Sequence, residues 1–249
     1  MFSTKTIDFN ADVGEGLASD ADLLPFISSA NIACGYHAGD ADTMRRTVEL
    51  CLQHGVAIGA HPSFADKVNF GRTEMKLPLS EIKQLISAQL HLMENICSEM
   101  GATLHHVKPH GALYNMSARD PKIAGAIAES VHAFNPNLIL FGLSGSHSVA
   151  EGVMAGLTTA AEVFADRSYQ PDGSLTPRSQ PKALITTEED AALQAAMMVT
   201  EQKVRAVDGT MVDLIAETIC LHGDGPHAVS FARKLHQLFT SRGISIQAI

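Results

Sequence analysis

Polar and ionisable side chains recur in this chain directly after short apolar runs. Asn10 and Asp12 close the first such run, His37 and Asp40 come after the second in NIACGYHAGD, and His61 ends AIGAH. Lys108 and His110 end LHHVKPH, Asp166 and Arg167 end AEVFADR, and His222 and Asp224 end TICLHGD. Asn10/Asp12, Lys108/His110 and His222/Asp224 are i, i+2 pairs, and in a strand such residues share a face. Two kinds of chemistry suit these groups. Asp12, His37 and His61 are a carboxylate-plus-two-histidine set of the kind that holds a divalent metal. Without a metal, the same groups can serve as general base and oxyanion stabilisers, with Asp12 activating water and Lys108 meeting a developing oxyanion. Either way, water or an activated oxygen attacks a polarised carbonyl. A serine hydrolase is disfavoured because no G-x-S-x-G elbow is present.

No spacing rule ties Asp12, His37 and His61 together, and one buried histidine alone is more often structural than a ligand. The structural reading weakens when six apolar runs all finish in such groups. His54, His91, His132 and His236 fall on helical patterns and read as surface or packing residues. One of His105 and His106 is expected to face the core.

The elements that must position these residues alternate along the whole chain. Strands are expected at 5–12, 30–34, 57–61, 104–109, 138–143, 159–165 and 216–222. Between them lie amphipathic helices. In 80–100, Ile82, Leu85, Ile86, Leu90, Met93, Ile96, Cys97 and Met100 recur every three or four residues, with Ser80 as a candidate cap and Gly101 as a stop. Residues 226–242 and 41–54 read likewise, ending at Gly243 and Gly55, with Asp40 or Asp42 able to cap the latter. Such alternation implies a parallel sheet with helices outside. An open dinucleotide-binding sheet would carry G-x-G-x-x-G after its first strand, whereas DVGEG stands here; a G-x-x-x-x-G-K-[ST] phosphate loop is absent. Because the chemistry falls at C-terminal strand ends, the sequence favours a (β/α) barrel, whose strand ends converge on one mouth. One barrel domain over 1–249 fits the length.

Two long segments, 63–72 and 167–182, are placed to cover that mouth, and loops of this length are uncommon unless functional. Their Arg72, Arg167 and Arg178 can grip a carboxylate in bidentate fashion or simply face solvent. Glycines in VGEG, CGYHAG and HGDGPH put small residues beside polar ones, as needed where backbone comes close to a ligand, although tight turns alone also explain them. Pro226 suits the first turn of a helix whose free N–H groups can hold an anion.

Composition narrows the partners. A formal charge of −9 argues against nucleic acid and anionic membranes. MFSTKTIDFNADVG has no signal-peptide core, and no apolar run has the length of a membrane span. Cys34, Cys51, Cys97 and Cys220 show no C-x-x-C pairing and read as reduced core thiols of a cytoplasmic protein.

Six segments in order, DFNADVGEG, NIACGYHAGD, GAHPSFAD with NFGR, VKPHGALYN, FADRSYQPDGSLTPR and CLHGDGPHA, resemble the LamB/YcsF family over nearly the whole chain. The resemblance implies a distorted (β/α) TIM-like barrel similar to the glycoside hydrolase/deacetylase group. It implies ATP-dependent opening of 5-oxo-L-proline to L-glutamate, with ATP and Mg2+ as co-substrate and with 5-oxoprolinase subunits B and C as partners. On this reading Asp12, His61, Lys108, His110 and Asp224 are catalytic, while Asn10, Glu15, His37, Arg72, Asp166, Arg167 and His222 bind substrate. Asp12, His37 and His61 are similar in kind to the metal triad of carbohydrate deacetylases. Two alternatives remain open: a stand-alone metal-dependent deacetylase or amidohydrolase, and a non-catalytic subunit that delivers substrate.

Overall fold

The computed structural model of the chain describes residues 5–17, 19–222 and 228–249. In chain order the elements are β1 (Thr6–Val13), α1 (Asp20–Leu23) running into a 3-10 turn at Leu24–Phe26, β2 (Ser29–Ala33), α2 (Ala41–His54), β3 (Ala57–His61), α3 (Leu79–Glu99) and β4 (Leu104–Val107). After these come α4 (Gly111–Arg119), α5 (Pro121–Phe134), β5 (Ile139–Leu143), α6 (His147–Met154), β6 (Thr158–Phe164), α7 (Glu188–Glu201), β7 (Lys203–Arg205), β8 (Met211–Asp213), β9 (Thr218–His222), α8 (Ala228–Ser241) and β10 (Ser245–Ile246).

Seven parallel strands run in the order β1-β2-β3-β4-β5-β6-β9, and β9 pairs back onto β1, so the sheet closes into a barrel. These are the seven strands expected from the sequence, with bounds moved by at most two residues. The short β10 adds to β1 from outside through Thr6↔Ser245 and Ile7↔Ile246. The antiparallel hairpin β7–β8 forms its own small sheet. Neither β10 nor the hairpin was expected, being only two or three residues per strand and too short for a period-two signal.

β1 shows why the barrel carries chemistry inside. Its apolar Ile7, Phe9, Ala11 and Val13 pack against the helices, Phe9 meeting Phe239 of α8 edge-on at 6.2 Å. The alternating Asp8, Asn10 and Asp12 turn into the barrel, where they bond to residues of β2, β6 and β9. The helices seal the outside. On α3, Ile82, Ile86, Leu90, Met93, Ile96 and Cys97 are buried at helical spacing, each worth roughly 1.5–3 kcal/mol for the larger aliphatic side chains.

The helix ends obey local chemistry, with one correction. Asp40 caps α2 by accepting from the Thr43 N–H at 2.8 Å, and Gly55 ends the helix in the left-handed region. Ser80 does not cap α3: Pro78 occupies the cap position, and its carbonyl receives the N–H groups of Glu81 and Ile82. Proline has no N–H to satisfy and its fixed φ leads into the helix, which places Ser80 inside the first turn. Pro226 lies outside the described residues. No helix among the described residues is long and apolar enough to cross a membrane.

Candidate active site

The barrel interior is a ladder of polar contacts rising from floor to mouth. At the floor, Asp8 accepts from Ser28 (2.6 Å), Ser29 (2.7 Å) and Thr218 (2.5 Å). Thr218 in turn accepts from Asn10 at 2.6 Å. Burial pushes the Asp8 carboxyl up, against the pull of these hydroxyl donors. In the middle, Asn31 donates to Asn10 (2.8 Å) and to Asp12 (2.9 Å), and its carbonyl oxygen lies 2.9 Å from His106 Nε2. The His106 ring stacks on Phe141 and lies across β3 where Gly59 stands, so it is the core-facing member of the His105/His106 pair. A Cβ at Gly59 would sit 2.1 Å from the ring, which is why no side chain stands there.

Lys108 enters above this layer, only 2% exposed. Its ammonium meets Asp12 Oδ1 at 2.9 Å, Glu162 Oε1 at 2.8 Å, Asn10 Oδ1 at 3.2 Å and Cys220 Sγ at 3.1 Å. Burial works against its charge, yet Asp12, Cys220 and Glu162 hold its pKa well above the ordinary lysine value. Burial likewise works against the Asp12 carboxylate, yet His61 and Lys108 hold it well below the ordinary range. The three ammonium protons therefore have acceptors within the barrel, which differs from the expected oxyanion donor aimed at substrate: Lys108 pairs with Glu162 and holds Asp12 ionised. Burial pushes the Cys220 thiol well up and the Cys34 thiol to about 12, so neither offers a thiolate. All four cysteines are free and buried.

At the mouth, His61 and His110 face each other. His61 Nδ1 lies 2.7 Å from the carbonyl oxygen of Lys108, and His110 Nε2 lies 2.9 Å from that of Phe70. Carbonyls only accept, so each of these nitrogens carries its proton. The opposite nitrogens, His61 Nε2 and His110 Nδ1, are 2.9 Å apart, and His61 Nε2 is also 3.3 Å from Asp12 Oδ2. His37 stacks on His110 at 3.9 Å between ring centres. Glu15 Oε1 stands 3.6 Å from both His37 Nε2 and His110 Nδ1. Burial and the neighbouring His61 push His37 down to about 3 and hold His110 well below its ordinary value.

Two local devices create this cluster. Gly14 and Gly16, both in the left-handed region, turn the chain after β1, and Asp20 accepts from the Gly14 N–H at 2.8 Å to hold that turn. The segment 63–72 folds over the histidines: Phe70, itself left-handed at φ 57°, lays its ring against His37 and His110. A Cβ at the adjoining Gly71 would come within 2.2 Å of Ser63 Oγ.

A cavity of about 930 Å³ opens over the strand ends, lined by Asp12, His61, Lys108, His110, Tyr114, Phe164, His222 and the arginines Arg72, Arg119, Arg167 and Arg178. Gln170 and residues of 172–180 also line it, so the second long segment does reach the mouth. Arg167 donates to the carbonyls of Thr176 (2.6 Å) and Ala183 (3.3 Å), and so fastens this segment while facing the cavity. Asp166 accepts from His222 Nδ1 at 2.9 Å, which orients that imidazole, and the ring stacks on Phe164.

The expected residues are thus largely brought together, in different pairings. Asn10, Asp12, Lys108, His61 and His110 form one connected set; Glu15 and His37 join it behind the histidines; Asp166 and His222 form a second pair. Among the described residues, the four groups whose donor atoms lie within 4.8 Å of one another are Glu15, His37, His61 and His110, a set that can hold a divalent metal. Of the expected metal triad, His37 and His61 belong to it, whereas Asp12 stands beside it with one oxygen on Lys108. Asp224 lies outside the described residues. His54, His91 and His132 are exposed and away from the site, as expected. The sequence reading missed Glu162, Asn31 and Phe70. Glu162 did leave a signal, as the one charged residue inside the apolar strand TTAAEVF.

The LamB/YcsF family model matches residues 7–249. The crystal structure of a lactam utilization protein from Thermus thermophilus is 41% identical, covers 98% of this chain and 100% of its own, and superposes with a TM-score of 0.92. A family 4 carbohydrate esterase from Streptomyces lividans in complex with acetate is 11% identical over 98% of this chain and 93% of its own, with a TM-score of 0.51. The peptidoglycan deacetylase PdaC from Bacillus subtilis is 11% identical over 99% and 89%, with a TM-score of 0.50. These last two share the fold.

Proposed function

The chain belongs to the LamB/YcsF family, and from that premise we propose that it opens 5-oxo-L-proline to L-glutamate as part of an ATP-dependent 5-oxoprolinase. Mg2+-bound ATP is the co-substrate, subunits B and C are the partners, and the cytoplasm is the place of action. The observation that carries this reading is the 41% identity, end to end, with a protein described as a lactam utilization protein.

The chemistry fits the mouth. A five-membered lactam is a stable amide, and opening it needs an energy source. Transfer of the γ-phosphoryl group of ATP to the lactam oxygen releases ADP and makes the ring carbon electrophilic. Water then adds to that carbon, the C–N bond breaks as nitrogen takes up a proton, and γ-glutamyl phosphate results. A second water releases phosphate and leaves glutamate. Asp12 takes the proton of the attacking water, with His61 Nε2 3.3 Å from its second oxygen. Lys108 holds Asp12 ionised before that step. Asp166 holds His222 in place to serve the leaving nitrogen. Arg72, Arg167 and Arg178 suit the carboxylate and the phosphoryl group. The cavity is larger than a lactam alone requires, which suits a phosphorylated substrate. With no phosphate loop in this sequence, ATP is bound wholly or partly by the partners.

The test is glutamate release from 5-oxoproline and Mg-ATP, comparing this chain alone, B plus C, and all three. Turnover only with all three is expected. Turnover by this chain alone without ATP would replace the reading with that of an amidohydrolase.

A further inference from the structure

The histidine cluster poses a problem that the lactam reading does not resolve. The carbonyls of Lys108 and Phe70 fix the protons of His61 and His110 on the outer nitrogens. With both rings neutral, two bare lone pairs, on His61 Nε2 and His110 Nδ1, point at each other across 2.9 Å, and that of His61 also faces the Asp12 carboxylate at 3.3 Å. Such a contact is repulsive unless something positive lies in it. His37, 1% exposed, has no hydrogen-bond partner on either ring nitrogen among the described residues, an unfavourable condition for a buried polar atom. The carboxylate oxygen Glu15 Oε1 lies 3.6 Å from both His37 Nε2 and His110 Nδ1, beyond hydrogen-bond range.

One occupant removes the lone-pair conflict and gives His37 Nε2 a partner. We propose that Glu15, His37, His61 and His110 form a four-ligand site for a single divalent transition-metal ion, zinc above all. The donor set suits it: three imidazoles and one carboxylate are what Zn2+ takes, at bonds of about 2.0–2.2 Å. A tetrahedron with such bonds has edges of about 3.4 Å; three of the six donor separations are 2.9, 3.6 and 3.6 Å and all lie within 4.8 Å, so the side chains need only close slightly around an ion. The outer contacts are those of a metal centre too. Imidazole ligands characteristically donate their second N–H to a carbonyl or carboxylate, which fixes the tautomer, and both His61 and His110 do so. The left-handed backbone of Phe70 is accounted for: it delivers the carbonyl that orients His110.

The site also differs from the triad the sequence suggested. Glu15 and His110 enter, and Asp12 stays outside with Lys108. His61 and His110 line the cavity while Glu15 and His37 lie behind them, so the ion would border the cavity from within the wall. The proposal stands apart from the lactam reading, since it rests on the four side chains alone.

The full-length chain, stripped with a chelator and dialysed, is titrated with Zn2+ by calorimetry and with Co2+ by visible absorption. We expect one ion per chain, a rise in Tm on loading, and a Co2+ spectrum of low coordination number dominated by imidazole. Glu15→Gln, nearly isosteric and expected to fold, should weaken Zn2+ binding by more than the roughly 10–100-fold that loss of an outer-sphere contact costs. His37→Ala should do the same, while the exposed His91→Ala should bind as wild type. Absence of saturable binding to the folded wild-type chain would overturn the proposal and leave a shared proton between His61 and His110 as the occupant. So would binding that Glu15→Gln leaves unchanged.

Discussion

Asp8 and Asp12 stand four residues apart on one face of one strand, both buried, and their surroundings drive them in opposite directions. Asp8, at the barrel floor, is met by hydroxyls from Ser28, Ser29 and Thr218, and burial wins: its carboxyl is pushed up. Asp12, at the mouth, is met by Lys108 and His61, and charge wins over burial: its carboxyl is held down. Neutral donors can satisfy a buried acid but cannot offset the cost of its charge; a buried cation can. The floor is therefore built to close a barrel, and the mouth to keep charge in reserve. Asn10, Asn31 and His106 join the two, and their hydrogen bonds hold the mouth residues in register.

The largest effect should come from Lys108, whose ammonium joins Asp12 and Glu162. Lys108→Met leaves Asp12 and Glu162 buried together without that cation and should cost about 3–5 kcal/mol in denaturant unfolding. A loss below about 1 kcal/mol would mean the mouth charges are solvated, and the contrast with the floor would collapse.

A smaller loss is expected from Gly59→Ala at the level between. The new methyl would drive His106 off Asn31 and Phe141, at about 1–3 kcal/mol by thermal or denaturant unfolding. An unchanged Tm would show that the ring can move freely and that the middle layer does not fix the mouth.

The smallest effect concerns Asp8 itself. Its folded pKa lies above the unfolded value of 3.8, so the folded state binds more protons in the interval between them. Stability contributed by this group is present below about pH 4 and declines as pH rises through the raised folded pKa. Asp8→Asn should lack that decline, so the stabilities of wild type and variant should diverge above about pH 4 in favour of the variant. Parallel pH profiles would contradict the assignment of Asp8 as the floor's weakly ionised acid.

Much of this was legible in the sequence because strand ends are marked by chemistry. All seven barrel strands and the strand-end residues Asp12, His61, Lys108, His110 and His222 could be located from apolar runs and the polar residues that close them. The pairings could not. Whether Lys108 points its charge at substrate or at Glu162 depends on which strand lies across the barrel, and the two residues are separated by 54 positions of sequence but by 2.8 Å in space. Likewise Asp12 and Glu15 are both carboxylates near the first strand end. Which of them faces His37 is set by the left-handed turns at Gly14 and Gly16, and turn geometry decides the direction of a side chain that composition cannot. Phe70 carries no ionisable group to mark it, because it contributes a backbone carbonyl and an aromatic face.

The most direct measurement is glutamate release by the reconstituted three-subunit enzyme carrying Asp12→Asn or Asp8→Asn, each first shown folded by circular dichroism. The account predicts a fall in kcat of about 10²–10⁴ for Asp12→Asn, the range lost with a general base, and a rate near wild type for Asp8→Asn. Retention of activity by Asp12→Asn, or an equal loss in both, would contradict the claim that chemistry resides at the mouth while the floor only closes the barrel.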